Sequence, residues 1–571
     1  GRTRNPGMST HAWCRRLVEG LEAANVKDLV VSPGSRSTPI LLAAIQSNLK
    51  IYSVLDERCA AFFALGRIRG TKRPVAFLCT SGSAGAHALP AMLEARYANH
   101  RLIAITADRP PELHDCGANQ TIDQQALFAS ACANPLELGM PEDSPEAGLA
   151  LRLRVQEAVV MTPGPVHINA PFRKPLEPSE VELCSALPGP ALAPMQRDPV
   201  RVDDVKLAAI ASQVEGASRG VIVAGPLVGC GDALQALATA SGFVLLAEST
   251  SGARCTGASH PQRCDGFPHV LASAAHNEEL SASLKPDLIL RFGAEPACTS
   301  LNRWLATQSS PVLRFTDNAA LRDPGGKSEL IVGEVRDACK RLTSTLRPAP
   351  VTDYVASWRG ADESAWAEAS RLLGASEGGR SEAGAMAAIL GALPAKSRVT
   401  IGNSMPVRSA DMVLPGKAVD LEFLHQRGTS GIDGLIAGAI GSSTAASSAL
   451  ILGDVSFSHD VASLALSPLC QGPLRIFVID NQGGQIFSHL PIADTPMAAK
   501  HQALWRTPPT IDMQQVCAAY QVSYREVDAL ASLPEAIAWS QEQDGCSVVR
   551  VFVSPESMRE FTKAMSKVPT T

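Results

Sequence analysis

The sequence predicts an α/β fold built from three consecutive doubly wound domains with mainly parallel central sheets. One observation is that short unbroken apolar runs, such as Asp28–Val31 and Val75–Cys79, are each followed by a helix-length segment. Strands that are apolar on both faces and alternate with helices are typical of parallel sheets covered on both sides. A second observation is that Pro175–Pro199 and Arg347–Thr352 interrupt this pattern. We therefore predict domains at residues 8–180, 200–345 and 355–560.

Each predicted domain contains four apolar runs of strand length. They are Asp28–Val31, Ile51–Leu55, Val75–Cys79 and Leu102–Thr106 in the first domain, Gly220–Gly225, Val244–Ala247, Asp287–Phe292 and Val312–Phe315 in the second, and Val399–Ile401, Ala449–Leu452, Leu474–Ile479 and Ser547–Val553 in the third. Ser37-Thr38-Pro39 predicts a helix start with a hydroxyl cap and a proline in the first turn. Ligands of open α/β sheets bind at the carboxyl ends of strands, so functional residues are expected there.

Composition excludes several classes of protein. Of 571 residues, 45% are apolar and 19% charged, and the net charge of −5 argues against a nucleic-acid partner. The 14 cysteines form no CxxC pair, which predicts reduced thiols in a cytoplasmic protein. The longest uncharged stretch, Gly434–Gly453, contains glycines and a Ser/Thr/Ala-rich middle, so it predicts a packed helix and a strand rather than membrane insertion.

Two strand ends in the third domain carry oxygen ligands suited to a metal ion. Asp454 follows the buried run that ends at Gly453, and Asn481 ends a later apolar run. A carboxylate, an amide oxygen and the backbone carbonyl of Gly483 are hard ligands that Mg²⁺ prefers, with diphosphate oxygens completing the shell. Nearby glycines allow backbone to approach phosphate, and helix starts can direct N–H groups at it. On these residues alone, Asp454 as a helix cap and a tight turn at Asn481–Gly483 explain the pattern equally well.

Longer sequence motifs give a more specific resemblance to a known protein family. They are Ser32–Pro39, Asp56-Glu57-Arg58, Thr80-Ser81-Gly82, Thr106–Leu113, Asp115–Gln124, Gly402–Arg408, Arg427–Gly434, Gly453-Asp454 and Gly484–Pro491. Together they resemble the MenD family, 2-succinyl-5-enolpyruvyl-6-hydroxy-3-cyclohexene-1-carboxylate synthase, over essentially the whole chain. The resemblance implies a thiamine-diphosphate and Mg²⁺ (or Mn²⁺) dependent transferase of menaquinone biosynthesis. It would decarboxylate 2-oxoglutarate and add the acyl unit to isochorismate in a 1,4 sense.

The resemblance also assigns roles to residues on the cofactor side. Glu57 would activate the cofactor through its aminopyrimidine ring, although a solvated charge at a helix start is the simpler interpretation of the residue alone. In the family this Glu serves a cofactor held by the other subunit, which implies a homodimer or tetramer with inter-subunit sites. Ile432 would press the two cofactor rings together, or be an ordinary core residue. The implied cofactor contacts are Glu57, Ser404, Met405, Ile432, Gly453, Asp454, Val455, Ser456, Asn481, Gly484, Gln485, Ile486, Phe487 and Leu490, and the implied metal ligands are Asp454, Asn481 and Gly483.

Both implied substrates are dicarboxylates, which an acidic protein binds through local cations. By resemblance, the isochorismate side comprises Ser35, Arg36, Arg109, Asn119, Gln120 and the Thr299 position, and the 2-oxoglutarate side comprises Ser404, Arg408 and Arg427. Arg408 and Arg427 join Glu57 and Ile432 as the implied catalytic set. Any single arginine could instead be an ordinary surface residue.

The chain departs from the family pattern at several positions. Thr299 stands where the family has a lysine that holds the isochorismate carboxylate, and Gln426, Thr429 and Pro509 also differ. Losing one charge-assisted hydrogen bond of about 1.5–3 kcal/mol would weaken acceptor binding about tenfold or more. Arg303, four residues on, is a possible substitute on a helix. A different acceptor, another decarboxylating thiamine enzyme and a catalytically silent paralogue are therefore the alternatives. A nicotinamide-binding protein has no support, because no GxGxxG follows a strand.

Overall fold

The computed structural model describes residues 9–187, 189–318, 323–376 and 379–567. The chain forms two compact units. Of the described residues, unit 1 contains those within 9–198, 428–443 and 460–471, and unit 2 contains those within 199–427, 444–459 and 472–567. Two short pieces of the third predicted domain thus pack with the first. Residue 8, where the first predicted domain begins, lies outside the described residues, and the three domain limits stay predictions.

Three sheets organise the units, and unit 1 holds the first of them. Its strands are β1 (Asp28–Val31), β2 (Lys50–Ser53), β3 (Val75–Cys79), β4 (Leu102–Asp108), β5 (Leu136–Glu137) and β6 (Val166–Pro171), in the order β2-β1-β3-β4-β6-β5. All of their pairings are parallel. Strands β1, β3, β4 and β6 are buried throughout, because helices cover both faces of the sheet.

Unit 2 holds the other two sheets. The five-stranded sheet contains β7 (Gly220–Ala224), β8 (Val244–Ala247), β9 (Leu288–Phe292), β10 (Val312–Thr316) and β11 (Ser328–Val332) in the order β11-β10-β9-β7-β8. The six-stranded sheet contains β12 (Ser397–Ile401), β13 (Leu421–His425), β14 (Ser448–Gly453), β15 (Leu474–Asp480), β16 (Ser523–Val527) and β17 (Cys546–Phe552) in the order β13-β12-β14-β15-β17-β16. Both sheets are parallel, so the predicted fold class is confirmed.

Helices follow most strands. They are α1 (Thr10–Ala23), α2 (Thr38–Ile45), α3 (Glu57–Thr71), α4 (Ser83–Ala86), α5 (Leu89–Tyr97), α6 (Gln124–Phe128), α7 (Pro145–Met161), α8 (Glu180–Cys184), α9 (Asp204–Gly216), α10 (Gly231–Ser241), α11 (Phe267–Ala274), α12 (Glu278–Ser283), α13 (Thr299–Thr307), α14 (Val335–Thr345), α15 (Asp353–Ala375), α16 (Glu382–Ala392), α17 (Pro406–Val413), α18 (Leu435–Ser442), α19 (Asp454–His459), α20 (Pro496–Lys500), α21 (Gln502–Arg506), α22 (Met513–Ala519), α23 (Leu533–Gln541) and α24 (Ser557–Met565). None of those described combines the length and apolar character needed to cross a bilayer.

Some local expectations need correction. The predicted strand Ile51–Leu55 is shifted, and the structure places it at Lys50–Ser53. Helix α2 begins at Thr38 with a proline in its first turn, but the Ser37 hydroxyl does not cap it, because it donates to the carbonyl oxygen of Gly34 instead. The predicted linker Pro175–Pro199 contains the short helix α8, which a Ser179/Glu182 capping box stabilises.

Inside unit 1, helices α3 and α18 pack at very close range. A Cβ atom at Gly66 would lie 2.1 Å from the carbonyl oxygen of Gly438, and one at Gly441 would lie 2.2 Å from that of Phe63. Gly434 has φ +66°, and a Cβ there would overlap the ring of Phe62. Only glycine permits these approaches, so the two helices have one well-defined packing arrangement.

Candidate active site

The ends of β14 and β15 bring the predicted metal ligands together in unit 2. The two strands are neighbours with Gly453 paired to Ile479, so Asp454 and Asn481 leave the sheet at the same edge. One carboxylate oxygen of Asp454 accepts the backbone N–H of Val455 at 2.9 Å, and the other accepts that of Gly483 at 2.7 Å. Asp454 also begins helix α19. The structural role and the proposed ligand role are therefore compatible.

Asn481 is oriented by a residue that the sequence patterns did not indicate. Its side-chain N–H donates to Glu382 Oε2 at 3.0 Å, which leaves its amide oxygen available for another partner. Glu382 begins helix α16 and is 2% exposed. Gln485 donates to the backbone carbonyl of Asn481 at 2.8 Å, while its own buried Oε1 accepts no hydrogen bond. The site therefore contains an unsatisfied acceptor that a bound group could use.

A cavity opens at this edge of the sheet. It is lined by Glu382, Ser404, Met405, Pro406, Gly453, Asp454, Val455, Ser456, Ile479, Asn481, Gly483, Gly484 and Gln485. A Cβ at Gly453 would meet no atom within 4 Å, so the strand end faces open space. Most of the predicted diphosphate and metal contacts thus share one cavity.

The neighbouring carboxylates of Asp454 and Asp480 favour binding of a cation in the cavity. Burial and the neighbouring Asp480 carboxylate raise the pKa of Asp454 to about 7. Asp480 itself is paired with Arg550, whose Nε lies 2.7 Å from Oδ2. No cluster of three His, Cys, Asp or Glu side chains suited to a metal occurs among the described residues. The predicted set of one carboxylate, one amide and one backbone carbonyl differs from such clusters and fits a Mg²⁺ ion that also binds diphosphate.

Arg408 and Arg427 contact adjacent residues of one loop. Arg408 Nη1 donates to the carbonyl oxygen of Ser404 at 2.6 Å, and Arg427 Nη1 donates to Asn403 Oδ1 at 2.9 Å. Ser404 has φ +67°, and the buried Asn403 also donates to the carbonyl oxygen of Gln426. Two guanidinium groups are thereby held beside the loop that contributes Ser404 to the cavity. Asn403 is a positioning residue that the sequence motif contained but did not single out.

The buried Glu248 interacts electrostatically with both arginines. Burial and the neighbouring Asp411 raise the pKa of Glu248 to about 8, and the charge of Arg427 acts in the opposite direction. Glu248 Oε1 accepts the backbone N–H of Cys298, directly before Thr299. Thr299 begins α13 with an exposed side chain, and the exposed Arg303 lies one turn further on the same helix face.

Unit 1 holds the predicted activator Glu57 and the predicted buttress Ile432. Glu57 is the first residue of α3, and the helix is capped by Asp56, whose carboxylate accepts the N–H of Arg58 at 2.9 Å. Glu57 is half-buried. Burial of the Cys79 thiol, together with the nearby charge of Glu57, raises the pKa of that thiol. Ile432 is also half-buried and precedes α18, which packs on α3.

The predicted isochorismate contacts partly cluster in unit 1. Arg109 Nη1 donates to the Ser81 hydroxyl, and Gln120 exchanges hydrogen bonds of 2.9 and 3.0 Å with Ser81. Burial and the charge of Arg109 lower the pKa of Arg36, so two cationic groups lie near each other. Such a pair is suited to an anionic ligand. Ser35 and Asn119 are exposed.

Three of the cofactor contacts predicted in unit 2 lie outside the cavity. Ile486 packs against the apolar core of unit 2, Phe487 lines a separate cavity with Trp505 and Arg506, and Leu490 is 45% exposed. Their assignment to an apolar wall around the cofactor stays a prediction.

Comparison with known proteins shows which families and structures the chain is similar to. The family described as thiamine pyrophosphate enzyme, N-terminal TPP binding domain, matches residues 14–127, the segment that contains Glu57. The X-ray structure of a Mycobacterium smegmatis protein described as a thiamin diphosphate-dependent enzyme superposes with a TM-score of 0.67 at 17% identity. The superposition covers 96% of this chain and 100% of that one, which shows that the fold is shared.

Curated relatives are similar over nearly their whole lengths. A 2-succinyl-5-enolpyruvyl-6-hydroxy-3-cyclohexene-1-carboxylate synthase of Sorangium cellulosum is 39% identical, covering 96% of this chain and 94% of the relative. The chain belongs to this synthase family. Relatives with the same name from Geobacillus kaustophilus (35% identical, 95% of each chain) and Halorubrum lacusprofundi (33% identical, 97% and 96%) extend the similarity to distant organisms.

Membership of the synthase family confirms the resemblance inferred from the motifs and the assignment to the thiamine-diphosphate enzymes. The individual site residues stay predictions.

Proposed function

We propose that the protein decarboxylates 2-oxoglutarate and adds the acyl unit to isochorismate, giving the product named in its relatives, in menaquinone biosynthesis. The observation that carries this proposal is the Asp454–Asn481 cavity in a chain similar to these synthases over nearly its whole length. We further propose a homodimer or tetramer in the cytoplasm, with thiamine diphosphate and Mg²⁺ bound.

The residues of the cavity have distinct proposed roles. Asp454, the amide oxygen of Asn481 and the carbonyl of Gly483 would hold Mg²⁺, and the glycine-rich ends of the strands would leave room for diphosphate. Thiamine diphosphate, when bound, supplies the carbon nucleophile and the electron sink for decarboxylation and carbon–carbon bond formation. Glu57 would hold a proton at the aminopyrimidine ring.

Cationic side chains would bind and orient the substrates. Arg408 and Arg427 are proposed to bind the carboxylates of 2-oxoglutarate, and Arg36 and Arg109 those of the acceptor. Guanidinium groups bind carboxylates through two parallel hydrogen bonds, which fixes direction as well as charge. Fixing both substrates relative to the cofactor would favour addition over release of the acyl unit.

A different acceptor is a second candidate, and Thr299 is the observation that favours it. Its hydroxyl carries no charge, unlike the lysine that the family resemblance implies at that position. A different acceptor would leave the donor half of the reaction unchanged.

Titration with thiamine diphosphate and Mg²⁺, followed by product analysis, tests the proposal. Saturable binding should be lost in an Asp454→Asn variant, which keeps shape and removes charge. Incubation with 2-oxoglutarate and isochorismate should yield the addition product together with CO₂. Failure of the unsubstituted protein to bind the cofactor would overturn the proposal, whereas CO₂ release without addition would favour the alternative acceptor.

A further inference from the structure

The segment from Gly428 to Ala437 contains one residue of the proposed site, Ile432, and directly follows another, Arg427. The segment ends in the first turn of α18. Residues 428–434 form no helix or strand, and Ser430 (φ +62°) and Gly434 (φ +66°) have positive φ angles. Side chains elsewhere in unit 1 accept hydrogen bonds from the backbone of the segment and help to hold its conformation.

Glu94, on helix α5, binds the start of this segment. Its Oε1 accepts the N–H of Gly428 at 2.8 Å, and its Oε2 accepts both the N–H and the hydroxyl of Thr429, at 2.6 and 3.0 Å. Glu94 is buried, with 2% of its surface exposed. A Cβ at residue 428 would lie 2.5 Å from the Glu94 carbonyl oxygen, so the contact also requires glycine there.

Asp460 binds the end of the segment. Its Oδ2 accepts the N–H groups of Ile436 and Ala437 at 2.7 and 3.1 Å, which are otherwise unsatisfied donors in the first turn of α18. Asp460 is 8% exposed, and its Oδ1 accepts the Ser463 hydroxyl at 2.7 Å. Carboxylates favour helix N-termini because of the helix dipole, so this contact fixes where α18 begins.

The Glu94 carboxylate is also coupled to the helix that begins with Glu57. Arg69, near the end of α3, is 4% exposed and interacts electrostatically with Glu94. Burial lowers the pKa of Arg69 to about 10, while the charge of Glu94 opposes that shift. The guanidinium therefore stays charged at neutral pH and offsets the buried carboxylate.

We propose that Glu94, assisted by Asp460, is a positioning residue of the enzyme: it sets the conformation of the 428–437 segment and hence the placement of Ile432. The inference rests on the proposed function, because Ile432 matters through the cofactor. Glu94 touches neither substrate nor cofactor in this scheme. Its two oxygens match donors of the segment, an arrangement that a neutral side chain cannot reproduce.

Substitution of Glu94 by glutamine tests the inference. A glutamine side chain has a single amide oxygen for the three donors and places its NH₂ group against the remaining ones. The hydrogen bonds to either Gly428 or Thr429 should therefore be lost. In the cofactor-free protein, hydrogen exchange should accelerate about tenfold or more at the amides of residues 428–437. In the holoenzyme, kcat should fall about tenfold or more with a smaller change in the KM for 2-oxoglutarate. Glu94→Asp, which keeps the charge, should recover part of both effects.

Two further variants separate positioning from general stability. Asp265→Asn alters another buried carboxylate, which accepts the N–H of Gly416 at 2.8 Å in unit 2. It should lower the melting temperature without changing exchange at 428–437. Thr429→Ala removes only the hydroxyl bond and should change kcat by about threefold or less.

Unchanged exchange at 428–437 and unchanged kcat in Glu94→Gln, measured well below its melting temperature, would overturn the inference. Faster exchange with unchanged kcat would equally overturn it, because Glu94 would then have only a structural role. If the unsubstituted protein showed no turnover with 2-oxoglutarate and isochorismate, the proposed function would fail. That result is distinguishable, since the exchange comparison is made on the cofactor-free protein.

Discussion

The carboxylate of Asp454 accepts the backbone N–H of Gly483 at 2.7 Å, so the ends of β14 and β15 are tied together across the proposed metal site. Each oxygen of that carboxylate accepts one backbone N–H and retains a lone pair. The same contact therefore builds the loop and leaves acceptor capacity for a cation.

Glu57→Gln should lower kcat at least about 100-fold, because glutamine cannot exchange a proton with the cofactor ring. Binding of thiamine diphosphate, measured by calorimetry, should change little, since the proposed metal and diphosphate contacts are intact. Asp56→Asn is the matched control, as it retains the oxygen that caps α3 and should keep near-normal turnover. Equal turnover in Glu57→Gln and the unsubstituted protein would rule out the activating role.

Arg109→Gln should raise the KM for the acceptor about tenfold or more, because a charge-assisted bond to a carboxylate is lost. The KM for 2-oxoglutarate should not change in steady-state assays. Arg173→Gln is the control: Arg173 pairs with Glu112 at an exposed position and should have no effect on either constant. A rise in the donor KM alone would assign Arg109 to the other substrate.

Thr299→Lys should lower the KM for isochorismate about tenfold if isochorismate is the natural acceptor. The exposed side chain at the start of α13 leaves room for lysine without repacking. Thr299→Ala controls for loss of the hydroxyl and should have a small effect. An unchanged KM for isochorismate in Thr299→Lys would support a different acceptor or show that the position is remote from it.

Asp362→Asn should stabilise the protein at pH 8 but not at pH 4. Burial raises the pKa of Asp362 from its ordinary value of 3.8 to about 7, so the folded protein keeps a proton that the unfolded chain loses. Stability contributed by this group therefore falls as pH rises from about 4 to about 7, and remains lower above that range. The gain on substitution should be on the order of 1–3 kcal/mol.

Denaturant unfolding midpoints at pH 4, 6 and 8 would measure this difference. Asparagine can still accept the N–H of Gly266, so the hydrogen bond is conserved between the two proteins. A gain that is the same at every pH would contradict the titration of Asp362.

A strand could be predicted from the sequence where its buried positions are occupied almost entirely by apolar residues. Leu474–Asp480 is buried at every position and is evident from the sequence. Strand β6 is equally buried but contains His167 and Asn169. Thr106 and Asp108 on β4 form hydrogen bonds with His167 Nε2 and with the side-chain amide of Asn169. These hydrogen bonds form only in the folded protein, so the pattern of apolar residues in the sequence does not reveal the strand. Edge strand β13 has the exposed Glu422 after its first residue, which interrupts the apolar run and conceals the strand.

The site shows the same distinction. Asp454 and Asn481 could be predicted because each ends an apolar run, a local signal. Glu382 and Glu94 could not, because their partners are 99 and 334 or more residues away in the chain. A buried carboxylate on a helix has no local pattern that distinguishes it from a surface charge. Only the fold brings such residues to the backbone that they bind.

The close packing of α3 against α18 makes the order of synthesis matter for this protein. Helix α3 is made early, but the glycine-lined helix that covers it belongs to a segment made after residues 199–427. Until that segment leaves the ribosome, the face of α3 around Phe62 and Phe63 lacks the packing that α18 provides. The first unit to be translated is therefore among the last to be completed, and nascent chains are exposed to aggregation during that interval.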